Sequence, residues 1–368
     1  MRFGGVVLSE VNSRNGKIDL LRMLFSVCIL FNHAKYLFRG TETYNSFNFL
    51  SLAVEFFFIV SGYLMVASIE KRRNNDCSLY KETAGFLSKK FKSVFVESTV
   101  AYVIGLLVVA RAMQLSLFSV LVNSWSEIFF INSSGIGGIY VNPAIWYISS
   151  MLLSMAIIYP IIRKFGKLAS NILLPLAALL ILAYLARNYM SIRDPHKWIN
   201  YSLKGNMRAF AEISLGALCY SFTKKIKSVN LTLFSRMLLT ALEGGIYVLF
   251  IYYMTTVGNY LNDLFYLALL CIAVSISFAH VGIFDKLLDN KLCYFLGKFS
   301  LPIYLSHNFY ARNLSILIPS FSSFGFSKKL VIYIGISVLT AVVVMLISML
   351  IRKLVPLLWN KLKPIFVK

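Results

Sequence analysis

Arg22 and His33 stand eleven residues apart in KIDLLRMLFSVCILFNHAKYLF (17–38), an apolar stretch long enough to cross a bilayer. Both side chains are costly in hydrocarbon, which makes them functional candidates by default. On a helix, eleven residues come within about 20° of whole turns while climbing about 16 Å. The two groups therefore share one stripe, half a membrane apart. An imidazole in that place can act as a general base or as a nucleophile that carries a group. Asp19, three residues before Arg22, is spaced to pair with the guanidinium and fix it. The plainer alternatives are an arginine that snorkels to the inner headgroups and a histidine satisfied by a backbone carbonyl.

The elements that position these residues must be membrane helices. Of the 368 residues 58% are hydrophobic and only 14% charged, and mean hydropathy is +0.72, well above soluble usage. Long apolar runs without period-two alternation exclude a barrel and imply an all-α, polytopic membrane protein. Ten spans are expected, at 18–38, 49–69, 94–112, 145–162, 171–187, 207–222, 232–254, 262–280, 292–311 and 330–351. The stretch 115–131 holds Asn123 and Glu127 and reads as interfacial or re-entrant. One membrane domain, 1–368, accounts for the chain, with no duplicated half of the transporter kind.

A net charge of +22 raises the question of nucleic acid, but its distribution answers otherwise. Of the 37 lysines and arginines, 23 fall in 1–17, 70–93, 163–170, 223–231, 281–291 and 352–368, the segments that lie on one side if the spans alternate. The positive-inside rule then puts both termini in the cytoplasm and makes lipid, not nucleic acid, the partner. The exception is the outer loop 187–208, with Arg187, Arg193, Lys197, Lys204 and Arg208. A solvated loop competes there with capture of an anionic glycan or a lipid-linked pyrophosphate. The first span has no cleavage site and reads as retained rather than as a signal peptide. Five cysteines without CxxC spacing indicate neither a disulfide framework nor a metal site.

Alternation of the spans also assigns depth. Glu55 falls in the outer third of the second span, and His307, fifteen residues into the ninth, lies near the depth of His33. Arg208 sits at the mouth of the sixth span with Glu212 one turn below. Four helices thus bring His33, Glu55, Glu212 and His307 to a similar outer layer, as one site requires.

At these residues the chain resembles a known family. D19-x-x-R22 followed by ten residues and H33, VEFFFIVSGYLMV (54–66), IWYISSMLL (145–153) and FLGKFSLPIYLSHNFY (295–310) are similar, in order, to the segments of the acyltransferase-3 family of membrane-bound O-acyltransferases. One departure stands out: where the family has an RxxR pair before the third span, this chain has Lys89 and Lys92, which bind phosphate as point charges or serve topology alone. The resemblance implies transfer of an acyl group, usually acetyl, from cytoplasmic acetyl-CoA to a hydroxyl of a surface or exported polysaccharide or its lipid-linked precursor. It places the protein in the cell inner membrane, with acetyl-CoA as a substrate and no permanently bound cofactor. Arg22 and Asp19, with Lys89 and Lys92, would hold the donor while His33 does the chemistry. Glu55 or Glu212 would orient the imidazole, and His307 or Asn32 would polarise the carbonyl. Trp146 and Tyr147 belong either to an aromatic belt or to a sugar-stacking surface. Two rivals remain at this stage: transfer of another acyl group such as succinyl, and a transporter or flippase of lipid-linked glycan.

Overall fold

The computed structural model describes residues 14–41, 48–72, 77–136, 138–255 and 260–366. Among the described residues the chain is all-α apart from one hairpin. Helices α1 (Gly16–Ala34), α2 (Ala53–Lys71), α3 (Leu79–Met113) and α4 (Leu117–Ile128) lead to α5 (Trp146–Leu168), α6 (Leu174–Tyr189) and the hairpin β1 (Trp198–Ile199) and β2 (Ser202–Leu203). There follow α7 (Lys204–Lys227), α8 (Leu233–Met254), α9 (Tyr260–Ala279), α10 (Asp285–Leu288), α11 (Lys291–Ser306), α12 (Asn308–Leu317) and α13 (Phe326–Phe366).

Every expected span falls on helix, but among the described residues seven helical segments have by themselves the length and apolarity to cross a membrane. The difference from ten has physical causes. Two expected spans lie in the single run Pro143–Tyr189, which is broken at Gly166 by a left-handed φ of 58°. α7 is diluted by Arg208, Glu212 and its terminal lysines, and α11 has 16 residues. The ninth expected span is also divided: Pro302 supplies no backbone donor, Ser306 bonds back to its carbonyl at 2.8 Å, and the helix ends so that His307 sits at the α11/α12 junction. α4, with 12 residues, spans only about 18 Å, too short for a crossing.

Two tight helix pairs set the registers on which the site depends. α2 and α7 run side by side in parallel, and their backbones approach at Gly62 and Gly216: a Cβ on Gly62 would lie 2.1 Å from the Ile213 carbonyl, and one on Gly216 2.1 Å from that of Ile59. Only glycine permits that approach. α1 and α11, each capped by an asparagine (Asn15 and Asn290) that accepts from the third residue on, form the second parallel pair. There a Cβ on Gly297 would meet Asp19 Oδ1 at 2.2 Å, so the glycine makes room for the carboxylate. These contacts account for the glycines of the SG and LG segments. α7, packed against α2, α5, α6 and α9, forms the centre of the bundle.

Candidate active site

The parallel register of α1 and α11 brings His33 and His307 together, with ring centroids 4.9 Å apart. His307 Nδ1 lies 3.1 Å from the Ile303 carbonyl, and His33 Nδ1 lies 3.0 Å from the Ile29 carbonyl. A carbonyl can only accept, so in each neutral ring the proton is assigned to Nδ1. His307 Nε2 is then an acceptor, and His33 Nδ1 donates to it at 3.0 Å as well as to Ile29. His33 Nε2 is left with its lone pair and no hydrogen-bond partner among the described residues. His307 is fully buried and His33 only partly so, which leaves the outer ring of the pair within reach of a substrate.

A cavity of about 1420 Å³ opens at the other end of α1. Asp19, Arg22 and Ser26, one stripe of α1, form part of its wall. Eight lysines and arginines line it against three carboxylates, Asp19, Glu70 and Glu97, which suits a polyanion rather than a neutral solute. Asp19 is held by Arg14 and lies 3.6 Å from Arg22. The Arg22 side chain stays 38% exposed, so its guanidinium is available to a ligand.

The cavity is closed toward the histidines by three rings from three helices: Phe57, Tyr147 and Tyr304. Tyr147 and Tyr304 meet edge to face at 5.9 Å, and Phe57 lies 6.0 and 6.5 Å from them. Tyr304 donates to the Ala144 carbonyl at 2.5 Å and stands 5.9 Å, centroid to centroid, from His307. Ser61 of the SG segment is hydrogen-bonded to the Tyr147 hydroxyl at 3.2 Å. His307 is thus the next ring beyond the closed end of the cavity, and His33 follows it.

The remaining sequence candidates divide. Glu55, Arg208 and Glu212 form a second cluster: Arg208 Nη2 bonds Glu55 at 3.1 Å, and Arg208 Nε bonds Glu212 at 2.6 Å, all of them buried. Among the described residues no hydrogen bond or ion pair joins this cluster to the histidines. Trp146 is buried between Phe58 and His196, neither at a lipid belt nor on an open surface. Lys89 and Lys92 are exposed and off the cavity wall, which α3 supplies through Lys90, Ser93, Val94 and Glu97. Of the five cations in the 187–208 loop, Arg193 is tied to Asp263 at 2.5 Å and Lys204 is buried. Phe57, Lys90 and Tyr304 are the residues that motif reading did not single out. The first and last lie inside the quoted segments, and the phase of α3 would have identified Lys90.

A helical membrane bundle with a hydrogen-bonded histidine pair beyond a cation-lined cavity could move a group from an anionic carrier. The acyltransferase domain of the acyltransferase-3 family matches residues 15–352, and the chain belongs to that family. It is a membrane acyltransferase. No curated protein and no solved structure matches the chain.

Proposed function

We propose that the protein takes an acetyl group from acetyl-CoA in the cytoplasm and transfers it to a hydroxyl of a surface or exported polysaccharide, or its lipid-linked precursor, across the cell inner membrane. The observation that carries this reading is the free lone pair of His33 Nε2, fixed by two backbone carbonyls and His307, on the far side of the rings that close a polycationic cavity. The CoA phosphates lie among the cations of the cavity mouth, with Arg22 deeper on the α1 stripe. The pantetheine arm follows that stripe for about 16 Å and brings the thioester to Tyr147 and Tyr304, which part to let it reach His33. The lysine and arginine distribution supports an orientation with the cavity mouth, both termini and residues 70–93 in the cytoplasm and 187–206 outside.

In the reaction, His33 Nε2 removes the proton of the acceptor hydroxyl as its oxygen adds to the thioester carbonyl carbon. Nδ1–H stays bonded to His307 Nε2 and the Ile29 carbonyl, and these acceptors hold the imidazolium, the orienting role a carboxylate plays in hydrolase triads. Collapse of the tetrahedral intermediate breaks the C–S bond, and the same proton passes to the leaving thiolate. Glu55 and Glu212 are given no part, since each has one oxygen on Arg208, is buried, and has no described bond to either histidine.

The test uses purified protein in lipid nanodiscs, acetyl-CoA labelled in the acetyl group, and glycan-bearing membranes from the source cells. Label is expected in glycan ester that mild base releases as acetate. A donor that keeps its label would overturn the reading. Label found on the protein when acceptor is withheld would replace the general base by an acyl-histidine route. Running succinyl-CoA in parallel identifies the acyl group.

A further inference from the structure

On the side away from the cavity, the histidine pair is closed into a ring of contacts. Tyr36, in the turn after α1, stacks on His33 with centroids 6.0 Å apart and planes inclined by 26°. Arg312 of α12 donates from Nη2 to the Tyr36 hydroxyl at 3.2 Å, and its guanidinium lies 4.6 Å from the Tyr36 ring centroid. The same guanidinium donates from Nε to Asn308 Oδ1 at 3.1 Å, and Asn308 directly follows His307. The circuit runs from His33 through Tyr36, Arg312 and Asn308 back to His307.

One atom in that circuit is left over. A guanidinium cannot accept a hydrogen bond, so the Asn308 atom facing Arg312 must be the carbonyl oxygen, and Nδ2 is turned away as a donor. Asn308 is 0% exposed, and Nδ2 has no hydrogen-bond partner among the described residues. Buried donors are seldom left so, and those that are mark places where another acceptor is expected. Acyl transfer creates such an acceptor, because negative charge develops on the thioester oxygen when the hydroxyl adds. Asn32, the carboxamide preceding His33, is the opposite case: its unpartnered atom is Oδ1, which would repel that charge.

Resting on the acyl-transfer reading above, we propose that Asn308 Nδ2 donates to the oxyanion of the tetrahedral intermediate and that Arg312, through its bond to Oδ1, is the positioning residue that aims it. The donor sits one residue from His307, so the residue that orients the base and the oxyanion contact are built from the same helix junction. Arg312 also polarises the amide, since a cation on Oδ1 makes the Nδ2 protons better donors.

The test compares wild type with Asn308→Ala and the isosteric Asn308→Asp in nanodiscs, using acetyl-CoA and its dithioester analogue, in which sulfur replaces the carbonyl oxygen. Loss of the donor is expected to lower kcat on the order of 10²- to 10³-fold, with KM for acetyl-CoA unchanged, because the contact exists only in the transition state. Wild type should prefer the oxygen donor strongly, and the preference should shrink in both variants. A packing defect would not change that ratio. Arg312→Gln should lose less and show the same shrinkage. A kcat within threefold of wild type in Asn308→Asp, or an oxygen-to-sulfur ratio that the substitutions leave unchanged, would overturn the proposal. Wild type that transfers from neither donor would instead overturn the acyl-transfer reading, and this inference with it.

Discussion

Two polar clusters lie inside the bundle, and they differ in where their unpaired atoms lie. In the histidine pair, backbone carbonyls occupy both Nδ1 protons, and one lone pair at the partly exposed edge is unused. In the other cluster Arg208 binds Glu55 and Glu212, and the residues belong to a packing seam. Arg208, Glu212 and Gly216 recur every fourth residue on α7, facing Glu55 and Gly62 two turns apart on α2, and the glycine contact continues the same line. Helical position in the sequence gives both clusters a similar expected depth. Glu55 Oε2 and Glu212 Oε2 are unpartnered as well, but both are buried, whereas the free nitrogen of the histidine pair lies on a partly exposed ring, and the proposed chemistry is placed there for that reason.

The largest effect should break this pairing in the direction of activity. His33→Ala is expected to lower acyl transfer by about 10²- to 10⁴-fold, the usual range for a general base. Its thermal melting in detergent should stay close to wild type, because the side chain is partly exposed and no described contact depends on Nε2. Arg208→Ala should act through stability instead. It leaves two buried carboxyls without their cation and should cost about 3 to 5 kcal/mol, seen as loss of folded protein in the membrane and a lowered melting temperature. If folded Arg208→Ala retained normal stability and lost only turnover, the division between the clusters would be wrong.

The sequence carried the all-α membrane class, the segments that become helices, and the meeting of His33 with His307, because each is a matter of hydropathy or helical depth. Depth could not separate Glu55 and Glu212 from the histidines, since that needs azimuth: which face of α2 and α7 looks at which neighbour. The stripe of Arg208, Glu212 and Gly216 held that information, but only a partner glycine at 62 makes it readable as a seam. Trp146 was unreadable for a similar reason. An aromatic at a span end suggests a belt, yet here it is buried against Phe58 and His196. The break at His307 was hidden because Pro302 lies within an otherwise continuous apolar run.

A smaller effect sharpens the contrast between the chemical end of α1 and its anchoring end. Arg22 lies on the cavity wall, half-exposed and beside Asp19, whereas His33 lies beyond the closing rings. Arg22→Ala should raise KM for acetyl-CoA with little change in kcat, by roughly ten- to hundredfold if a charge-assisted bond worth about 1.5 to 3 kcal/mol is lost. Steady-state kinetics at saturating acceptor separates the two constants. A fall in kcat at constant KM would move Arg22 from the anchor to the reacting centre.

The smallest effect concerns three lysines within four residues. α3 meets the cavity through Lys90, Ser93, Val94 and Glu97, spaced as one face of a helix, while Lys89 and Lys92 each lie one residue, about 100°, out of that phase. Lys90 is partly buried and the other two are exposed. A single ammonium near solvent contributes about 1 kcal/mol or less to holding a phosphate, so Lys90→Gln should raise KM for acetyl-CoA by no more than about fivefold. The double change Lys89→Gln, Lys92→Gln removes more charge and should change KM less, because those side chains point away from the wall. Raising salt should shrink the Lys90 effect, as expected of a screened contact. Should the double variant raise KM more than Lys90→Gln does, the cations at the spacing of the RxxR pair would hold the donor after all, and α3 would have to turn by about a quarter of a rotation when acyl-CoA binds.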